Sequence, residues 1–173
     1  AFIEKNVSGS QDLSKNIKIG ISEEAFGQLH PKNQAFTKAF TSFVTALSSS
    51  FPRNNSSNDR DPVIHLGESH CLSFAHRCIN TEHGKQFIKP KLIFGAKAWH
   101  FSKPGKNKYK SIFEFHVNSI KDGLTIFLSF GEIDCRSGEG IIPYFERNGG
   151  NLEDIIRDTV SGYFDYVTRL LKE

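Results

Sequence analysis

Pro62-Val63-Ile64-His65-Leu66-Gly67-Glu68-Ser69-His70 is the stretch on which the fold reading turns. An apolar run ending in glycine reads as a buried strand that stops at a tight turn, and this turn delivers an acid, a serine and a histidine in succession. A serine hydroxyl is a poor nucleophile in open water. At a strand-to-helix turn, backbone N–H groups and the dipole of the following helix stabilise negative charge beside it. The spacing predicts a helix over 70–80. Ser69 at its entrance is either a helix cap, which needs no activity, or a nucleophile.

Two further runs share the pattern. Leu124-Thr125-Ile126-Phe127-Leu128-Ser129-Phe130 stops at Gly131 and then presents Glu132, Asp134, Cys135 and Arg136. Lys91-Leu92-Ile93-Phe94-Gly95 is followed by Ala96-Lys97-Ala98-Trp99-His100. Short apolar runs that each close on glycine, separated by helix-permitting segments, predict parallel strands of an α/β sheet. Their C-terminal ends all carry polar groups, and in open α/β sheets that edge is where ligands bind.

These blocks resemble a family. Gly67-Glu68-Ser69-His70 is similar to the serine block of the SGNH (GDSL) esterases and acyltransferases, especially the branch reading Gly-Asp-Ser-His. Gly95 falls where that superfamily has its second-block glycine, and Gly131-Glu132-Ile133-Asp134 where it has Gly-x-Asn-Asp. Gly131 to Arg136 also resembles the Gly-Glu-Ile-Asp-Cys-Arg block of some bacterial SGNH-like domains. The resemblance covers about residues 62–136. It implies a three-layer, flavodoxin-like parallel sheet with flanking helices, and a serine esterase or O-acyltransferase acting through Ser69 on a small-molecule or glycan ester. It implies no cofactor and no metal.

The departures matter equally. The family's oxyanion asparagine is Ile133 here, which cannot donate; either Arg136 takes that duty or the hole relies on the amides of Ser69 and Gly95. The family's base lies in a late Asp-x-x-His block, yet the last histidine is His116 and no such block occurs. Either the base is supplied differently, the chain is cut before its last strands, or the domain is a non-catalytic ligand-binding or interaction module. Neighbouring helical side chains diverge by ~100°, which strains direct contact of His70 with Ser69. His100, following the second run at the same edge, is the better candidate for the base, with Glu132, Asp134, Arg136 and His70 orienting substrate. A five-stranded order 2-1-3-4-5 leaves run 124–130 at an edge, and an uncharged apolar edge is a pairing hazard. A second chain or a missing C-terminal segment is therefore expected to cover it.

The 173 residues carry a net charge of +3, too small and dispersed to imply nucleic acid. No apolar stretch approaches the ~20 residues that cross a bilayer, and the N-terminus lacks a signal-peptide pattern. Sixteen Phe and no Met predict a rigid aromatic core. The basic run Lys97 to Lys110 reads as a solvated loop and helix start, or as an anion contact. Three cysteines cannot all pair within one chain; free thiols suit a reducing compartment, so a cytoplasmic location is expected. Cys135, between Asp134 and Arg136, reads as a buried small apolar residue, with a nucleophilic role as the alternative. His65, His70, Cys71, His76, Cys78 and His83 are close in sequence, but on a strand and a helix they face different ways, against a zinc site.

Residues 1–61 read as an irregular arm, an amphipathic helix Asn33–Ser50 and a Ser/Asn-rich linker; residues 62–173 read as the SGNH-like domain. Within the latter, a helix Asn107–Ile120 turns Tyr109, Ile112, Phe113, His116 and Val117 inward. Arg136–Asn151 reads as a long loop. A last helix over Leu152–Lys172 is capped by Asn151 and buries Ile155, Ile156, Tyr163, Val167 and Leu170.

Overall fold

The computed structural model describes residues 26–50, 61–82 and 84–172. The chain divides into two units, residues 1–59 and 60–173. In the first, helix α1 (Pro31–Ser50) matches the amphipathic helix expected there. Its entry is fixed by Gln34, whose side-chain amide donates to the carbonyls of Gly27 and Leu29. The N-terminal arm before residue 26 and the linker over 51–60 lie outside the described residues.

The second unit is α/β. Strand β1 (Val63–Gly67), buried at all five positions, pairs in parallel with β3 (Gly84–Leu92) on one side and β4 (Ile126–Ser129) on the other. A short strand β2 (Cys78–Thr81) runs antiparallel to β3, giving the order β2-β3-β1-β4. The sheet is thus mixed and mostly parallel. Among the described residues β4 pairs with β1 alone, the edge position expected of it.

One expected element is replaced. The chain after Ser69 makes only a 3-10 turn (Ser69–Phe74), not a helix to residue 80. His76 then takes a left-handed φ of 59°, the ladder begins at Cys78, and Thr81 pairs with Gly84 across a tight turn. Gly84 (φ 93°) and the local bond from the Thr81 hydroxyl to the Gly84 carbonyl close that hairpin. The strand expected at Lys91–Gly95 accordingly starts seven residues earlier, at Gly84 rather than Lys91, and ends at Leu92. Pro90 is tolerated inside it because β2 reaches only as far as Phe87, so no partner needs the missing N–H.

On one face of the sheet, Leu66 packs with helices α2 (Ala98–Ser102), α3 (Lys108–Asn118) and α5 (Leu152–Lys172). The expected aromatic core is here: Phe101 lies 5.2 Å from Phe113, 4.9 Å from Phe130 and 5.8 Å from Tyr166, ring centre to ring centre. Helices α3 and α5 start where expected. The Asn107 side chain accepts from the amides of Tyr109 and Lys110, and that of Asn151 from Glu153 and Asp154. Ile112 and Ile156, expected inside, are exposed, because each sits at the border of its helix's apolar stripe. The expected loop after Arg136 contains a further helix, α4 (Ile141–Asn148), which tolerates Pro143 within its first turn. No helix among the described residues is long and apolar enough to cross a membrane.

Candidate functional site

All three parallel strands end at one rim, since Gly67 pairs with Leu92 of β3 and Ser129 of β4. Gly67 is required there. A Cβ on it would lie 2.0 Å from the Ser129 hydroxyl and 2.9 Å from the Ser129 carbonyl, so only glycine lets β1 and β4 close up at their exit. The Glu68 amide then donates to the Ser129 carbonyl at 3.2 Å, carrying the chain one residue further along β4 before it turns.

Glu68, which the motif reading passed over, is the hub of the turn. Its carboxylate is 1% exposed. It accepts the Ser69 hydroxyl at 2.9 Å, the His70 amide at 3.2 Å and the His70 ring Nδ1–H at 2.6 Å. The capping duty considered for Ser69 therefore falls to Glu68. The carboxylate also explains how adjacent residues cooperate: the Ser69 and His70 side chains make no hydrogen bond with each other, and both bind Glu68. Nδ1 carries the proton in that bond, because an ionised carboxylate only accepts.

The acidic turn meets this hub through His70. Its Nδ1 is 3.9 Å from a Glu132 oxygen. Glu132 is gripped by Arg136 at 3.1 and 2.6 Å, a two-pronged pair one helical turn apart. The Arg136 hydrogen bonds hold the Glu132 carboxyl below its usual value. They raise that of Arg136 in turn. Ser69, His70, Glu132 and Arg136 are thus brought into one network through Glu68.

Asp134 has a different job. Buried to 1% exposure, it accepts the amides of Ala98 at 2.8 Å and Trp99 at 3.1 Å, capping α2 from a distant segment. This ties the turn after β4 to the segment after β3. Burial raises the Asp134 carboxyl above its usual value despite those bonds. Gly140 (φ 61°) makes room for it, since a Cβ there would lie 2.8 Å from the Asp134 Cα. Gly95, at φ 70°, would bring a Cβ no nearer than 4.0 Å to the Tyr109 hydroxyl, so its demand is conformational. Neither the Ser69 nor the Gly95 amide donates a hydrogen bond among the described residues.

His100 makes no hydrogen bond to Ser69. Its Nδ1 accepts the Lys97 amide at 3.1 Å and its ring stacks on Tyr109 at 3.9 Å. Burial, helped by the charges of Lys97 and Lys108, pushes it down to about 4. Ile133, where the resemblance expects an asparagine, is buried. Cys135, expected inside, is exposed, with its thiol 3.5 Å from the Gly131 carbonyl. The basic run is less solvated than expected. Lys97 pairs with Glu139, and the buried Lys110 ammonium donates to the carbonyls of Lys103 and Gly105.

A second serine–histidine contact was not anticipated. His65 Nε2 lies 3.0 Å from the Ser129 hydroxyl, beneath Glu68. His65 Nδ1 is buried without a partner. A bare acceptor is cheaper to bury than a bare donor, so Nε2 carries the proton and donates to Ser129, which leaves that serine unactivated. Burial lowers the His65 pKa against the opposing charge of Glu68. Its sequence signal is symmetric: His65 and Ser129 each stand two residues before a strand-ending glycine, Gly67 and Gly131.

Glu68, His70 and Glu132 each place a ligand atom within 4.8 Å of the others, a spacing from which a cation could be held. Arg136 already occupies both Glu132 oxygens, and the 2.6 Å contact of Glu68 with His70 uses the Nδ1 proton. The group is therefore arranged for hydrogen bonding. No family model, no curated protein and no solved structure matches the chain.

Proposed function

We propose that residues 60–173 form an SGNH-like three-layer domain that transfers an acyl group from a small-molecule or glycan ester through Ser69. The observation that carries this reading is the Ser69 hydroxyl at the exit of β1, partly exposed and hydrogen-bonded at 2.9 Å to a buried carboxylate. A nucleophile needs a nearby group to take its proton and donors for the oxyanion that forms. The acyl-ester reading assigns the second need to the unspent amides of Ser69, just past β1, and Gly95, three residues past β3. In this reading Ser69 attacks the ester carbonyl, the alcohol leaves, and water or a sugar hydroxyl takes the acyl group.

The competing reading is a binding module of the same fold. It is favoured by Ile133 in place of a donor and by the lack of a histidine bonded to Ser69 among the described residues. Incubation with p-nitrophenyl acetate followed by peptide mass mapping decides between them. The enzyme reading expects an acetyl group on Ser69 and its loss in Ser69→Ala. Wild-type protein that stays unacetylated and releases p-nitrophenolate no faster than Ser69→Ala supports the binding module.

A further inference from the structure

We infer that Glu68 is the proton acceptor for Ser69, a carboxylate standing where the resemblance would place a histidine; the inference rests on the acyl-ester reading above. The histidines of the second unit's rim are otherwise engaged. His70 spends its Nδ1–H on Glu68, His100 accepts the Lys97 amide under Tyr109, and His65 donates to Ser129. The Ser69 proton already points along its transfer path, since the hydroxyl is the donor in the 2.9 Å bond to Glu68 Oε2. The acceptor is also fixed in place. The His70 amide shares Oε2 at 3.2 Å and the His70 ring holds Oε1 at 2.6 Å, so the carboxylate cannot rotate away without giving up three bonds.

The step balances without an outside reactant. Ser69 Oγ forms a bond to the carbonyl carbon while its proton moves to Glu68 Oε2, and the carbonyl electron pair moves to oxygen. When that pair returns, the ester C–O bond breaks and the departing alkoxide takes the proton from Glu68, leaving acyl-Ser69 and an alcohol. Water or a sugar hydroxyl then attacks, gives its proton to Glu68, and Ser69 recovers one as it leaves. The His70 ring bonds Glu68 and not the Ser69 hydroxyl, so it is a positioning residue that holds the second carboxylate oxygen.

A positioned base contributes ~10²–10⁴-fold to rate, which sets the expected size of the effect. Acetylation of Ser69 by p-nitrophenyl acetate should fall at least ~100-fold in Glu68→Gln, recover in part in Glu68→Asp, and stay unchanged in His100→Gln. Wild-type protein that neither carries acetyl on Ser69 nor releases p-nitrophenolate faster than Ser69→Ala overturns the acyl-ester reading and this inference with it. Acetylation that Glu68→Gln leaves within about threefold of wild type overturns Glu68 alone. Should Glu68→Gln lose its cooperative unfolding transition, the pH profile of the wild-type rate decides. A profile whose acid limb is kept in both His70→Gln and His100→Gln supports the carboxylate, and a limb abolished in either variant overturns it.

Discussion

Removing the Asp134 carboxylate should both destabilise the second unit and loosen its rim. In Asp134→Ala the amides of Ala98 and Trp99 lose their acceptors, now at 2.8 and 3.1 Å, in a position that water cannot readily fill. Each orphaned buried donor costs about 1–3 kcal/mol. The variant no longer buries a charge whose desolvation raises the Asp134 pKa, which offsets part of that loss. The net expectation is a loss of about 3 kcal/mol, and Asp134→Asn, which keeps one acceptor oxygen, should lose about half as much. For a unit of roughly this size each kcal/mol is worth about 4–8 °C, so the midpoint of Asp134→Ala should fall by about 12–24 °C. Urea titration followed by circular dichroism gives the free energy, and a thermal scan checks it. A loss below about 0.5 kcal/mol would refute the assignment of Asp134 as the cap joining the two loops.

The Gly67→Ala variant forces a Cβ to 2.0 Å from the Ser129 hydroxyl, which His65 holds in place, and should cost about 1–3 kcal/mol in denaturant; pairing it with Ser129→Ala should recover part of that loss, and strict additivity would contradict the packing argument. Folded His100 takes up its proton near pH 4 and the unfolded chain near 6.5, so between those values the unfolded state binds more protons. Stability should therefore climb with pH across that window and be lost on acidification, by up to about 3 kcal/mol, and His100→Gln should flatten the slope. Native protein should react with a disulfide reagent at the exposed Cys78 and Cys135, while Cys71, buried and pushed up to about 12, should react only after unfolding; early modification of Cys71 would contradict its placement.

How far the fold could be read from sequence depended on which signal each element carried. Buried strand β1 and helices α3 and α5 were legible because apolar runs, caps and glycine stops agreed with one another. The β2–β3 hairpin was not, since Cys78 to Thr81 alternates only weakly in burial and the buried Cys71, Leu72 and Ala75 before it mimic helical spacing. The expected strand began only at Lys91, although the Pro90 before it is harmless on a strand's unpaired side. Helix α4 was hidden by Gly138, Gly140 and Pro143, which flank or open that helix and do not interrupt it.

The site divided along another line, between positions that a motif marks and positions that only packing can specify. Serine, histidine and the acidic turn stood out because their side chains are reactive in type, and the parallel register of β1, β3 and β4 places their segments at one rim. Glu68 lay within the serine motif but was given no role of its own, because in sequence a glutamate before a serine is unremarkable, whereas in the fold it is the carboxylate sealed under the turn. Its burial follows from Gly67. With no Cβ at that position β1 and β4 approach closely, and the next residue's amide is drawn to the Ser129 carbonyl. The side chain then turns inward, where Ser69 and His70 must both reach back to it. A carboxylate in that position raises a cost that its three hydrogen bonds offset, and the loss of any donor leaves charge without compensation. Ser69→Ala and His70→Ala should therefore lower stability as well as chemistry, whereas the exposed Glu132–Arg136 pair should change stability by no more than ~1 kcal/mol when broken. That contrast separates the buried hub from the solvated half of the network by denaturation alone, before any substrate is known.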